Sequence, residues 1–330
     1  MTLALAEIGR TASVRRSQVI AAILCAIAVA AVAAVPWVAK SFTVTLLTEA
    51  FVFAIWAMSL NLLSGHVGLL SFGHAAGFGL GGYAAGYFAR EVTADLLASL
   101  LFAEAVVFVV AALAGAVATR LSGVAFSIVS LCIAQVLYQV AIAWRAVTEG
   151  MDGLLGVPLP RLLGVTIRNG APFYWLVAGL MIATLGGLAV LLKSPFGATL
   201  RAIRITEVRA ASIGIDVRLH KWLAFVISWM LAGVAGALMV FLKAGTTPMS
   251  LHWTESGNVL IMTILGGLGT VVGPMIGAVC FVFLRDFLTS AFAVWQFVFG
   301  LIFVILVIAF PSGLAGLPAQ LRKLSWRSWS

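Results

Sequence analysis

Charge is what this 330-residue chain has least of: Asp and Glu number 11, Lys and Arg 20, and the four types together make 9% of the residues, against about a quarter in soluble domains. With 63% hydrophobic residues and a mean hydropathy of +1.15, a water-soluble globular domain is excluded. The apolar runs exceed the roughly 9–11 residues of a membrane β-strand and do not alternate, so helices of about 20 residues are the spanning element. Cysteine is also scarce. Cys25, Cys132 and Cys280 are odd in number and lie inside apolar runs, which argues against a disulfide framework or a metal site. No GxxxxGK[ST] phosphate loop occurs, so the chain is not expected to bind ATP in the usual way. No set of carboxylates, histidines or nucleophiles has catalytic spacing, and an enzyme is not expected. The net charge of +9 sits in short loops between apolar runs, which fits membrane topology better than nucleic-acid binding.

What is present is an all-α integral membrane pattern. Apolar runs at about 19–38, 43–63, 64–89, 96–119, 124–143, 173–192, 222–242, 259–268, up to about 284, and 294–310 give about ten transmembrane helices, if the glycine-rich break from Gly266 to Pro274 is a turn. The first run could pass for a secretory signal, but it exceeds the usual 7–15 residues of a signal core, so an uncleaved span is expected. The expected organisation is a cytoplasmic N-terminal segment (1–17), a membrane domain (18–317) and a cytoplasmic basic tail (318–330). Thirteen of the 20 basic residues then fall on the cytoplasmic side with three acids, and the remaining seven lie elsewhere with eight acids, which is the asymmetry that orientation requires.

The longest polar interruption, residues 194–221, carries Arg201, Arg204, Arg209, Arg218 and Lys221 against Glu207 and Asp216. Its stretch from Ala198 to Ile213 is compatible with helix, and Arg204 with Glu207 would form an i,i+3 pair. Its arginines are spread around that helix, so it reads as a positive-inside loop or as an element docked into another protein. Two glycine-rich elements, near 65–83 and 257–277, fall early in each half, and an inverted pair of interrupted helices facing the pathway is one expectation. Asn61, Ser71 and Asn258 offer hydrogen bonds to a solute or to neighbouring helices. His66 and His74 read as packing residues. Glu49, Glu104, Arg285 and Asp286 are the only ionisable groups placed to serve a proton- or sodium-coupled carrier, and each can lie near a span end.

Four blocks resemble a known family, the membrane permeases of branched-chain amino-acid ABC importers, in the M-type subunit. NLLSGHVGLLSFGHAAGFGLGGY (Asn61–Tyr83) is similar to the family's NLLxGxxGxxSxGHAxFxGxGAY. TEGMDGLLGVP (Thr148–Pro158) is similar to TGGxxGLxGIP, the central SPFGATLRAIRITEVRAASIGIDVRLHKWLAFVIS to the cytoplasmic SPFGRALRAIR block, and TILGGLGTVVGPMIGA to VxGGxGTxxGPxxGA, with FPSGLAGL matching the closing P-x-G-L. Gly77 stands where an aromatic is common, which would enlarge space near the pathway, and Glu149 where glycine is common.

The resemblance implies a permease-like fold in a bacterial inner membrane and import of an aliphatic amino acid. It implies as partners a homologous second permease subunit, two ATPase subunits that bind ATP and Mg, and a periplasmic solute-binding protein. No cofactor would be bound by this chain itself. It assigns Arg201, Arg204, Glu207, Arg209, Ala210 and Gly214 to ATPase coupling, and Glu149 and Asp152 to the periplasmic loop. Asn61, Ser71, His74, Gly77, Asn258, Gly266 and Gly267 become pathway candidates. Urea or short-amide permeases of the same superfamily, a stand-alone channel and a membrane scaffold are the competing readings.

Overall fold

The computed structural model describes residues 32–310 and 313–316. The N-terminal segment, most of the first apolar run and the basic tail lie outside them. Helix α1 (Ser41–Asn61) widens into a π turn (Leu62–Val67). It is followed by α2 (His74–Glu91), α3 (Leu96–Ala118), α4 (Gly123–Ala143), α5 (Ala171–Lys193), α6 (Pro195–Ile205), α7 (Glu207–Ser212), α8 (Val217–Lys243), α9 (Trp253–Gly266), α10 (Gly273–Ala291) and α11 (Trp295–Ala309). Seven helical stretches among the described residues are long and apolar enough to cross a membrane: α1 with its π turn, α3, α4, α5, α8, α10 and the one that begins at Trp295. Ten crossings would also need α2, α9 and the first apolar run.

Helix α1 is apolar on every side and is buried from Thr48 onward, as expected of a helix enclosed by others. Helices α8, α10, α5 and α9 surround it. Helices α3, α4 and α11 instead turn large apolar side chains outward, among them Leu101, Leu113, Val136, Phe297 and Ile308. Such a surface belongs in lipid.

The most extensive helix–helix contact among the described residues is that of α2 with α8. Lipid tails leave no hydrophobic drive between helices, so close backbone approach through small residues supplies the contact. Gly81 lies against the backbone of Gly233, and Gly236 against the carbonyl of Phe78. A Cβ at either position would overlap main chain.

The basic segment α6–α7 and the loops 68–73, 119–122 and 267–272 gather at one end of the bundle, the basic end. At the other end, four two-residue strands tie the connections together. Strand β1 (Leu154–Leu155) pairs antiparallel with β4 (Gly245–Thr246), and β2 (Arg161–Leu162) with β3 (Val165–Thr166).

Candidate functional site

The basic segment is not one helix. Thr206 is extended, with φ −161° and ψ 108°, and divides α6 from α7. The expected Arg204–Glu207 pair is therefore not formed, because the extended residue between them breaks the helical register. The Glu207 carboxylate instead accepts from Lys221 Nζ at 3.1 Å and from Ser122 Oγ at 3.0 Å. Lys221 is buried and also donates to the Leu121 carbonyl at 3.1 Å, so this lysine anchors α7 to the α3–α4 turn. Arg201 donates to Leu192 O at 2.6 Å and satisfies a free carbonyl at the end of α5.

Ala210 is buried, and Gly214 at φ +87° ends α7, with the Ile215 N–H donating to Ala210 O at 3.2 Å. A left-handed residue after a helix is the usual place for glycine. Beside the exposed Arg209, Ile205, Val208 and Ile213 are 79%, 74% and 77% exposed. Sequence reasoning missed these three. The signal was present as β-branched apolar residues interrupting a strongly charged stretch.

The two glycine-rich elements meet under this segment. Asn61 Nδ2 donates to Thr270 O at 2.7 Å, and the Gly269 N–H donates to Asn61 Oδ1 at 2.9 Å. One side chain thus staples the end of α1 to the bend between α9 and α10. Gly68 and Gly269 have left-handed backbones, and Gly266 lies against the backbone of Gly273. Gly267, at φ +118°, opens the bend. Arg204 crosses this joint. Its guanidinium donates to the Gly65 carbonyl, its stem lies over Gly68, and it passes beside Gly269.

The other pathway candidates are not part of this joint. His74 Nε2 lies 2.8 Å from Ser59 Oγ, while Ser71 Oγ and His74 Nδ1 are buried without a hydrogen-bond partner among the described residues. Gly77 is covered by Trp229 and Ala232, so the space left by the missing aromatic is filled by an indole from α8. Asn258 Nδ2 donates to Glu255 Oε2 at 3.2 Å, one turn away on α9. His66 Nδ1 lies 3.1 Å from Asn61 O.

At the far end, Glu149 has φ +61°, the conformation for which glycine is the natural occupant. Its Oε1 is 2.6 Å from Arg90 Nη1, while Asp152 is exposed in the adjoining turn. The substitution order at this position should therefore be unusual. Glu149→Gly relieves the left-handed backbone as it loses the ion pair and should leave stability within about 1 kcal/mol or slightly raise it, whereas Glu149→Ala loses the pair and keeps the strain the parent already carries and should cost up to about 1 kcal/mol. Thermal unfolding of the purified variants measures both.

Glu49 joins three helices at the same end. Its Oε2 is 2.6 Å from Lys243 Nζ on α8, and its Oε1 is 2.6 Å from Arg285 Nη2 on α10. Arg285 also stands over the rings of Phe53 and Phe281, at 5.7 and 6.0 Å from their centroids. Glu104 Oε1, on α3, is buried without a hydrogen-bond partner among the described residues.

Residues 42–307 match the model of a family described as the permease component of the branched-chain amino acid transport system. The high-affinity branched-chain amino acid transport system permease protein LivM of Escherichia coli K12 is 27% identical over 312 residues, covering 88% of this chain and 73% of that protein. The autoinducer 2 import system permease protein LsrC of Klebsiella pneumoniae is 30% identical over 136 residues, covering 39% of this chain and 37% of its own. A probable branched-chain amino acid transport permease protein LivH of Methanocaldococcus jannaschii is 30% identical over 151 residues, covering 41% and 46% respectively. No solved structure matches the chain. With an apolar helical bundle, two stapled glycine breaks and a basic segment set across them, and with the family model covering most of its length, the chain belongs to the branched-chain amino acid transport permease family.

Proposed function

We propose that this chain is one of two membrane subunits of an ATP-driven importer for aliphatic amino acids, and that it passes solute from a periplasmic binding protein to the cytoplasm. The basic end would face the cytoplasm, with both termini on that side, as the excess of Lys and Arg there supports. A homologous permease would complete the pathway, and two partner ATPase subunits would bind ATP and Mg. One observation carries this reading. Ile205, Val208 and Ile213 are large apolar side chains left exposed on a strongly charged segment, and that segment is tied through Arg204 to both glycine breaks. Exposed apolar side chains among basic ones fit a protein partner, and the segment's anchoring lets a partner's movement reach the bundle. Movement of α6–α7 would thus bias which of two bundle states is populated.

The test is uptake of radiolabelled leucine into cells lacking the chromosomal gene, with and without the chain restored. Restored uptake that stops when cellular ATP is depleted is the expected result. Restored uptake of urea and not leucine would favour an amide permease, and downhill leucine flux that persists without ATP would favour a channel.

A further inference from the structure

We propose that Lys243 and the cavity beside it form the site at which the permease first receives solute, and that the solute it takes is a carboxylate with a short aliphatic arm; this rests on the importer reading above. The cavity lies at the far end between α2, α8 and the turn carrying β4, and has a volume of about 320 Å³. That is the small end of the roughly 300–1,000 Å³ usual for small-molecule sites. Its wall is divided by chemistry. Phe78 and Met239 lie on an apolar side, Thr246, Thr247 and Ser250 bring hydroxyls, and Lys243 is the only charged residue among the described ones that line it.

The arrangement of Lys243 fits a receiving role. Its side chain is 50% exposed although its ammonium is held by Glu49, whose own side chain is 8% exposed. Glu49 is shared with Arg285, so one carboxylate divides its charge between two cations and is not a dedicated partner of Lys243. Asp286 borders a second cavity of about 310 Å³ that Glu49, Lys243 and Arg285 also line. It makes no ion pair within 4 Å among the described residues. A solute carboxylate in the first cavity would meet the free side of Lys243 without displacing Glu49. Its aliphatic arm would lie along Phe78 and Met239, and hydroxyl oxygens remain for an α-ammonium group. A charge-assisted hydrogen bond to a half-exposed lysine is modest, which suits a site that must hand its solute onward.

Thr247 lines the cavity and is exposed, so Thr247→Cys makes the site readable in native membrane vesicles with a membrane-impermeant maleimide, against the parent chain as background. The expected result is that millimolar leucine slows labelling at least fivefold, while leucinamide, which lacks the carboxylate, and urea leave the rate unchanged. Lys243→Gln in the same background should abolish the protection, and Lys243→Arg should restore it, which separates loss of the cation from loss of the fold. Equal protection by leucine and leucinamide would overturn the proposal. So would absence of protection in membranes whose parent chain imports leucine, and there the importer reading would survive. Failure of leucine uptake itself would instead count against the importer reading.

Discussion

Arg204→Ala is expected to lower leucine uptake by roughly 10- to 150-fold while the partner ATPase stays bound. The estimate follows from a charge-assisted hydrogen bond of about 1.5–3 kcal/mol, at about 1.4 kcal/mol per factor of ten. It applies if the Arg204–Gly65 contact is made in one bundle state and lost in the other. The outward residues Ile205, Val208 and Ile213 are untouched by the change, so docking should persist. What is removed is the only side chain of the segment that reaches Gly65, Gly68 and Gly269 together. Arg204→Lys should fall between, since a lysine carries the charge without the planar fork that donates while it packs. ATP hydrolysis without uptake, assayed on the purified complex in vesicles, is the expected signature. Full uptake by Arg204→Ala would mean that the joint plays no part in coupling.

Gly236→Val should give almost no folded protein. The position has no room for a Cβ, because the carbonyl of Phe78 and the amide of Gly82 occupy that space, and both belong to backbone that cannot rotate away. Separating α2 from α8 would open the most extensive helix contact in the bundle and uncover Trp229, which is fully buried against Gly77. Overpacking costs about 1–3 kcal/mol where side chains can adjust, and more where main chain must move. Gly300→Ala on α11, where an added Cβ meets nothing within 4 Å, should be neutral or stabilising by up to about 1 kcal/mol. Fluorescence-detected size-exclusion chromatography of tagged variants reads the contrast, and normal yield for Gly236→Val would refute the packing described for α2 and α8.

The sequence shows an all-helical membrane bundle, the basic segment and both glycine breaks, because each is local: a run of apolar residues, a run of charge, a run of residues without side chains. The family blocks drew attention to the same basic segment. Direction was not legible. Arg201, Arg204 and Glu207 read as a charged surface, yet Arg201 caps α5, Arg204 enters the joint and Glu207 holds Lys221. Only tertiary contacts choose partners for these side chains, none of which is buried, and the extended Thr206 that sets their directions has no sequence signal as plain as a proline. Asn61 was singled out as a polar group near the pathway, but its partners Gly269 and Thr270 lie about two hundred residues away. The trio of Glu49, Lys243 and Arg285 was missed as a unit for the same reason.

The central claim is that α6–α7 is the surface on which a partner ATPase acts. The direct measurement is gentle-detergent purification of the tagged chain from its native membrane, followed by mass spectrometry of what accompanies it, for the parent chain and for Ile205→Glu with Val208→Glu. Both residues point outward and make no core contact, so the double change should leave the bundle folded and place two carboxylates in the docking patch. An ATPase recovered with the parent chain and absent from the double variant is the predicted result. A parent chain that emerges alone, or an ATPase retained equally by both, would contradict the account.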